Sequence, residues 1–92
     1  MIIRSQNKKA IVNLNMIDTI EERDNQIRYF SGGGMETVGL LGQYSTEEKA
    51  IKVLDMIQEA FYRQWDVENK FVDVTKNDTQ IFQMPQDEEV EV

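Results

Sequence analysis

The 92-residue sequence contains no cysteine and no histidine. Without cysteine there are no disulfides, and nothing in the composition indicates an oxidising compartment. Without either residue type, Ser-His and Cys-His nucleophilic systems and the usual zinc sites cannot form. Carboxylates, lysines, tyrosines and hydroxyls remain, but no calcium-binding loop or Asp-x-Asp pattern organises the carboxylates. We therefore predict a protein that is not an enzyme and holds no cofactor or metal.

Proline, glycine and long apolar runs are also scarce: there is one proline, Pro85, and there are five glycines. Residues 1–10 are polar and basic with no apolar run behind them, so we expect neither a signal peptide nor a membrane span, and a cytoplasmic location. Neither an internal repeat nor a linker divides the chain. The length predicts one domain, residues 1–85, followed by an acidic and flexible tail, residues 86–92.

The net charge is −7, and the acidic residues are concentrated near the end of the sequence. The predicted tail holds four of them: Asp87, Glu88, Glu89 and Glu91. An acidic chain does not favour contact with phosphate backbones, so we expect no direct nucleic-acid binding. Such a surface can instead occupy a basic groove of a partner that normally holds nucleic acid. The alternative is a solvated end that only aids solubility.

Residues 45–65 carry the pattern of one long amphipathic helix. Ser45 and Glu48 have the spacing of a capping box, and no glycine or proline interrupts the run. Glu59 and Arg63 form a favourable i,i+4 pair. Seven residues at helical spacing define an apolar face: Ala50, Val53, Leu54, Ile57, Ala60, Phe61 and Trp65. Ile51 and Tyr62 lie beside this face and need another cover, which either the C-terminal segment or a second subunit supplies.

Short β-branched segments surround the helix. We predict strands at residues 2–3, 10–14, 16–20, 27–30 and 35–41, with turns at residues 5–9, 22–26 and 31–34. The fold class is therefore α+β, an antiparallel β-meander packed against one long helix, with a C-terminal extended segment.

Two segments leave alternatives open. Gly32, Gly33 and Gly34 are not followed by the Lys-Ser/Thr of a phosphate-binding loop, so the pattern favours a hairpin turn, with contact to a ligand left open. Residues 71–75 and 80–84 are extended candidates after the helix. They form either a terminal hairpin or a strand that returns to the sheet.

Three stretches together carry a resemblance: MIIRSQ at residues 1–6, LGQYSTEEKAIKVLDMI at residues 41–57, and FQMP at residues 82–85 before the acidic end. They resemble a group of small proteins carried by phages and prophages of Gram-positive bacteria. The stretches are structural signatures, so the resemblance carries over no site residue. It implies a viral genetic setting in the cytosol of a bacterial host. Small non-enzymatic phage proteins of this kind often counter host defences, by taking up a nucleotide immune signal or by blocking an effector.

Two hypotheses about function follow. In the first, the protein is an anti-defence module that sequesters a host immune nucleotide, as a homo-oligomer with a pocket at a subunit boundary. Arg4 and Arg28 would pair with phosphates, and Tyr29 or Tyr44 would stack on the base. Alternatively these arginines serve surface solubility and these tyrosines serve packing.

In the second hypothesis, the protein is an inhibitor that docks on a host-defence effector or nuclease by nucleic-acid mimicry. It would present the tail residues Asp87, Glu88, Glu89 and Glu91 to a basic surface. A structural or housekeeping role in the phage is a third interpretation. Of the three, we predict the first, sequestration of a host immune nucleotide, with the inhibitor and the structural role as alternatives.

Overall fold

The computed structural model describes residues 1–31, 38–69 and 81–92. These residues form two three-stranded sheets and one long helix, which confirms the predicted α+β class. The elements are β1 (Ile2–Arg4), β2 (Ile11–Asn13), β3 (Thr19–Arg23), β4 (Gln26–Phe30), β5 (Val38–Gln43), α1 (Glu47–Asn69) and β6 (Ile81–Gln83). Two 3₁₀ helices span Leu14–Met16 and Asp87–Glu89. The predicted glycine turn at residues 32–34, the first residues of the strand predicted at 35–41, and the strand predicted at 71–75 lie outside the described residues.

The N-terminal sheet has the strand order β2-β1-β6. β1 pairs with β2 as an antiparallel hairpin, as the sequence predicts, and with β6 in parallel. Ile3 stands opposite Val12 and Phe82 and is fully buried, so this side of the sheet faces the core. Residues 81–83 therefore return to the sheet, which is one of the two alternatives predicted for this segment.

The second sheet, β3-β4-β5, is an antiparallel meander, as predicted. Its first turn is shorter than the predicted span of residues 22–26: Arg23 already pairs with Gln26, and only Asp24 and Asn25 connect the strands. Their φ angles are 54° and 66°, the left-handed values of a tight hairpin turn. Asp and Asn tolerate these values better than most residues, so the strands extend further than expected.

The strand predicted at residues 16–20 begins later, at Thr19, because a 3₁₀ helix occupies Leu14–Met16. The side chain of Asn13 caps this helix by accepting a hydrogen bond from the Asn15 N–H at 3.0 Å. An asparagine in this position offers the backbone a turn in place of a sheet ladder.

α1 packs against β3 and β4 through the predicted apolar face, and Ala50, Val53 and Ile57 are buried. Its N-cap differs from the prediction. Thr46 caps the helix in place of Ser45, since the Thr46 hydroxyl accepts from the Lys49 N–H at 3.1 Å. The predicted ion pair between Glu59 and Arg63 forms at 2.6 Å on the exposed side.

Both sheets and the helix share one core, closed by Tyr44, Met84 and Val90. Gly42 makes this closure feasible, because a Cβ there would lie 3.0 Å from Tyr44 Oη and 3.2 Å from Met84 Cε. Val90 is only 5% exposed. The core therefore includes Val90, a residue of the segment that the sequence predicts to be a tail.

Candidate functional site

A shallow groove lies beside the first half of α1, where the helix meets the last residues of the sequence. It encloses about 480 Å³ and is lined by Glu47, Glu48, Ile51, Lys52, Asp55, Glu91 and Val92. We call it the acidic groove. Four of the seven lining residues are carboxylates, and Lys52 is the one cation among them.

Helix geometry explains how α1 contributes to the acidic groove. Glu47, Ile51 and Asp55 follow one another at intervals of four, so they lie along one side of the helix. Ile51 is 41% exposed, which leaves apolar surface between the carboxylates. Carboxylates gathered along a low-dielectric wall produce a negative potential that attracts cationic groups.

The C-terminal segment reaches the groove because it is fastened to the start of α1. The Asp87 carboxylate accepts a hydrogen bond from the Ser45 N–H at 2.8 Å and lies 3.5 Å from the ammonium of Lys49. Lys49 also donates to the Asp87 carbonyl oxygen at 3.0 Å. These contacts hold the 3₁₀ helix at residues 87–89 against α1 and so place Glu91 beside Ile51.

The same contacts lower the pKa of Asp87 below 3.8. The largest cause is the hydrogen bond from the Ser45 backbone N–H, which favours the charged carboxylate, and the ammonium of Lys49 acts in the same direction. Asp87 is therefore ionised at neutral pH and serves the fold.

The four acidic residues predicted to meet a partner have different roles. Asp87 is engaged within the chain, and Glu89 accepts from the Gln86 N–H at 2.8 Å as part of a capping box. Glu88 and Glu91 are exposed, with no hydrogen bond or ion pair to another residue in the part of the chain that the structure describes. Of these four, only Glu91 lines the acidic groove.

The two arginines predicted to bind phosphates lie in different sheets. Arg4 is exposed on β1, and its guanidinium donates to the Lys8 carbonyl oxygen at 3.3 and 3.2 Å. Arg28 is half-buried on β4, where it donates to the Gln26 side-chain oxygen. Each guanidinium is therefore hydrogen-bonded to a residue of its own hairpin or strand.

The two tyrosines predicted to stack on a base are not available together. Tyr29 follows Arg28 directly in β4, so the two side chains leave opposite faces of the sheet, and Tyr29 packs against the core. Tyr44 is only 4% exposed and donates to the Pro85 carbonyl oxygen at 2.9 Å. Burial is the main cause of its raised pKa. Within one copy of the chain, Tyr44 is therefore buried, and Arg28 and Tyr29 do not face the same side of the sheet.

Two other depressions border α1. One, of about 650 Å³, is lined by Asp55, Gln58, Glu59, Phe61 and Tyr62 and shares Asp55 with the acidic groove. The other has a volume of about 420 Å³, and none of its described lining residues is charged: Leu14, Asn15, Ile17, Ile20, Leu54, Ile57, Gln58 and Phe61. Among the described lining residues, the first depression has two carboxylates and the second has none, so neither concentrates negative charge as the acidic groove does.

Sequence reasoning missed Glu47, Glu48 and Asp55 as site residues. It used Glu48 as the partner of Ser45 in the predicted capping box. The available signal was Ile51, an aliphatic residue outside the main apolar face and flanked at helical spacing by these carboxylates.

Among residues 1–31, 38–69 and 81–92, no group of three or more acidic side chains is arranged to hold a metal ion. Within the same residues, no helix has the length and apolar character needed to cross a membrane. Comparison with protein-family models, with curated proteins and with solved structures finds no match.

Proposed function

We propose that this protein acts by binding, and that the acidic groove docks on a basic surface of a partner protein. The observation that carries the proposal is the composition of the groove, in which four carboxylates surround the partly exposed Ile51. An apolar centre within a charged rim is the usual anatomy of a protein–protein contact. The carboxylates would steer a basic partner toward the groove and fix its register.

The charges of the groove also favour a protein over a nucleotide or a nucleic acid. Carboxylates repel phosphates, so the groove is unsuited to a phosphorylated ligand. The side chains proposed for nucleotide sequestration do not support it further, since Tyr44 is buried and Arg28 and Tyr29 point to opposite faces of β4. Between the two hypotheses, the geometry gives more support to the protein-binding inhibitor.

The resemblance to small phage proteins suggests the kind of partner. We propose a host-defence effector or nuclease, met in the bacterial cytosol, whose basic cleft normally holds nucleic acid. Occupying that cleft requires complementary charge and no chemistry. In this form the mimicry uses the helix carboxylates together with Glu91, and not the four tail carboxylates as a set.

Affinity capture from host lysate tests the proposal with charge-matched variants. The groove variant, Asp55→Asn with Glu91→Gln, removes two carboxylates from the groove. The control, Glu59→Gln with Glu88→Gln, removes two carboxylates that do not line it. We expect one host protein to be recovered with the wild type and the control, and to be lost or strongly reduced with the groove variant.

Calorimetry against cyclic and ADP-ribose-type nucleotides forms the second arm. The proposal predicts no nucleotide binding. Binding of a nucleotide, together with equal protein capture by the two variants, would replace it with the sequestration hypothesis.

A further inference from the structure

The N-terminal sheet has an outer side that carries aliphatic residues. In β1 the side chains alternate, so Ile3 enters the core while Ile2 and Arg4 take the outer side. The register places Ile2 opposite Asn13 and Ile81, and Arg4 opposite Ile11 and Gln83. We call these six residues the isoleucine face. Ile11 is 67% exposed and Ile81 is 64% exposed.

The isoleucine face lies in the basic part of an acidic protein. Residues 1–17 contain Arg4, Lys8 and Lys9 but no acidic residue, although the whole chain has a net charge of −7. Arg4 belongs to the face, and its bonds to the Lys8 carbonyl oxygen tie the β1–β2 loop to it. Within the described residues, no ion pair of 4.0 Å or less neutralises these three cations.

The acidic groove has the complementary properties. Its carboxylates are the counterpart of the three cations, and it too exposes aliphatic surface, with Ile51 41% and Val92 71% exposed. We propose that the isoleucine face of one copy docks on the acidic groove of a second copy. Ile11 and Ile81 would contact Ile51 and Val92, while Lys8, Lys9 and Arg4 pair with the groove carboxylates. This contact supplies the cover by a second subunit that the exposed Ile51 requires.

The contact joins two different surfaces of the protein, so it is a heterologous contact. Two copies that exchange both contacts reciprocally close as a dimer, and otherwise a ring or a longer assembly forms. The inference rests on the acidic groove but not on the identity of a partner protein. Because a partner and a second copy would occupy the same groove, a bound partner would compete with self-association.

Sedimentation velocity with the purified full chain tests the contact by charge exchange. Lys8→Glu with Lys9→Glu reverses the basic side, and Asp55→Lys with Glu91→Lys reverses the acidic side. Wild-type protein is expected to sediment as an oligomer at low salt and to dissociate at high salt, since salt screens exposed charges. For each variant alone, the affinity of self-association should fall by roughly tenfold or more. An equal mixture of the two variants should associate again, because each reversed surface then meets its complement.

Apolar substitutions test the same contact without a change of charge. Ile81→Ser should weaken association, whereas Met16→Ser should not, because Met16 is 73% exposed but lies outside the isoleucine face. Circular dichroism establishes that each variant is folded. The inference is overturned if the wild type is monomeric at all concentrations and salts, if the charge variants sediment as the wild type does, or if their mixture remains monomeric. These measurements involve no partner, so the proposed function can fail while this inference stands, and the reverse.

Discussion

The ammonium of Lys49 lies 3.5 Å from Asp87 Oδ2 and donates to the Asp87 carbonyl oxygen at 3.0 Å. One side chain of α1 thereby contacts both the carboxylate and the backbone of the C-terminal 3₁₀ helix. The Ser45 N–H supplies a third contact. The acidic groove depends on these contacts, because they bring Glu91 alongside residues of α1 that are more than thirty positions earlier in the sequence.

Replacing Asp87 should change how stability responds to acid. The folded-state pKa of Asp87 is lowered below 3.8. Its stabilising contribution is therefore fully present above pH 3.8 and is lost as the pH falls through the lower folded-state pKa. Asp87→Asn should reduce stability at neutral pH and flatten this acid dependence, as measured by urea unfolding across a pH series. Glu88→Gln is the matched control. Parallel pH profiles for wild type and Asp87→Asn would contradict the assignment.

The buried hydroxyl of Tyr44 predicts sensitivity to alkali. Its folded-state pKa is raised, mainly by burial, so its contribution is present below the ordinary value of 10.0 and is lost as the pH rises above it. Tyr44→Phe removes the bond to the Pro85 carbonyl oxygen and should cost about 0.5–1.5 kcal/mol at neutral pH. Thermal unfolding at neutral and alkaline pH checks both effects. If the variant unfolds in alkali as the wild type does, another group governs that transition.

Gly39 stands opposite Tyr29, and the tyrosine ring occupies the space where a Cβ at position 39 would be. Gly39→Ala should therefore destabilise the meander by about 1–3 kcal/mol, the usual cost of overpacking. Removing the tyrosine ring should relieve the clash, so Gly39→Ala should cost little stability in a Tyr29→Ala background. Denaturant unfolding of the two single variants and the double variant measures this coupling. Additive losses would show that the ring and Gly39 are independent.

The structure places the N-cap of α1 at Thr46, whereas the sequence pattern predicts Ser45. Thr46→Ala should cost about 1 kcal/mol, because it removes the acceptor of the Lys49 N–H. Thr46→Ser keeps the hydroxyl and is the control. Chemical denaturation compares the two, with Ser45→Ala as a third variant. A larger loss from Ser45→Ala than from Thr46→Ala would restore Ser45 as the cap.

The helix and the meander were predictable because their signals are local. The apolar spacing of Ala50, Val53 and Ile57 defines the packed side of α1 with no knowledge of the sheets. The parallel pairing of β6 with β1 was not predictable, because Ile2 and Ile81 are far apart in the sequence and no local pattern specifies which distant strands pair. The capping box was not formed as predicted: Thr46 caps the helix, and Asp87, forty-two positions after Ser45, accepts from the Ser45 N–H that a capping box would pair with Glu48.

The candidate site illustrates the same limit. The tail carboxylates can be read from the sequence, but their contacts cannot. Asp87 and Glu89 accept hydrogen bonds within the chain, and of the four only Glu91 lines the groove. The groove itself forms between two segments that pattern reasoning treats separately. The burial of Tyr44 was likewise not predictable from the sequence pattern, since the surrounding residues Met84 and Pro85 come from a distant segment.

The most direct test of the proposed function is calorimetric titration of the purified captured partner into the wild type, the groove variant (Asp55→Asn with Glu91→Gln) and the control (Glu59→Gln with Glu88→Gln). The account predicts binding by the wild type and the control that weakens with salt, and binding by the groove variant that is weaker by roughly tenfold or more. Equal affinity of all three proteins for the partner would contradict it.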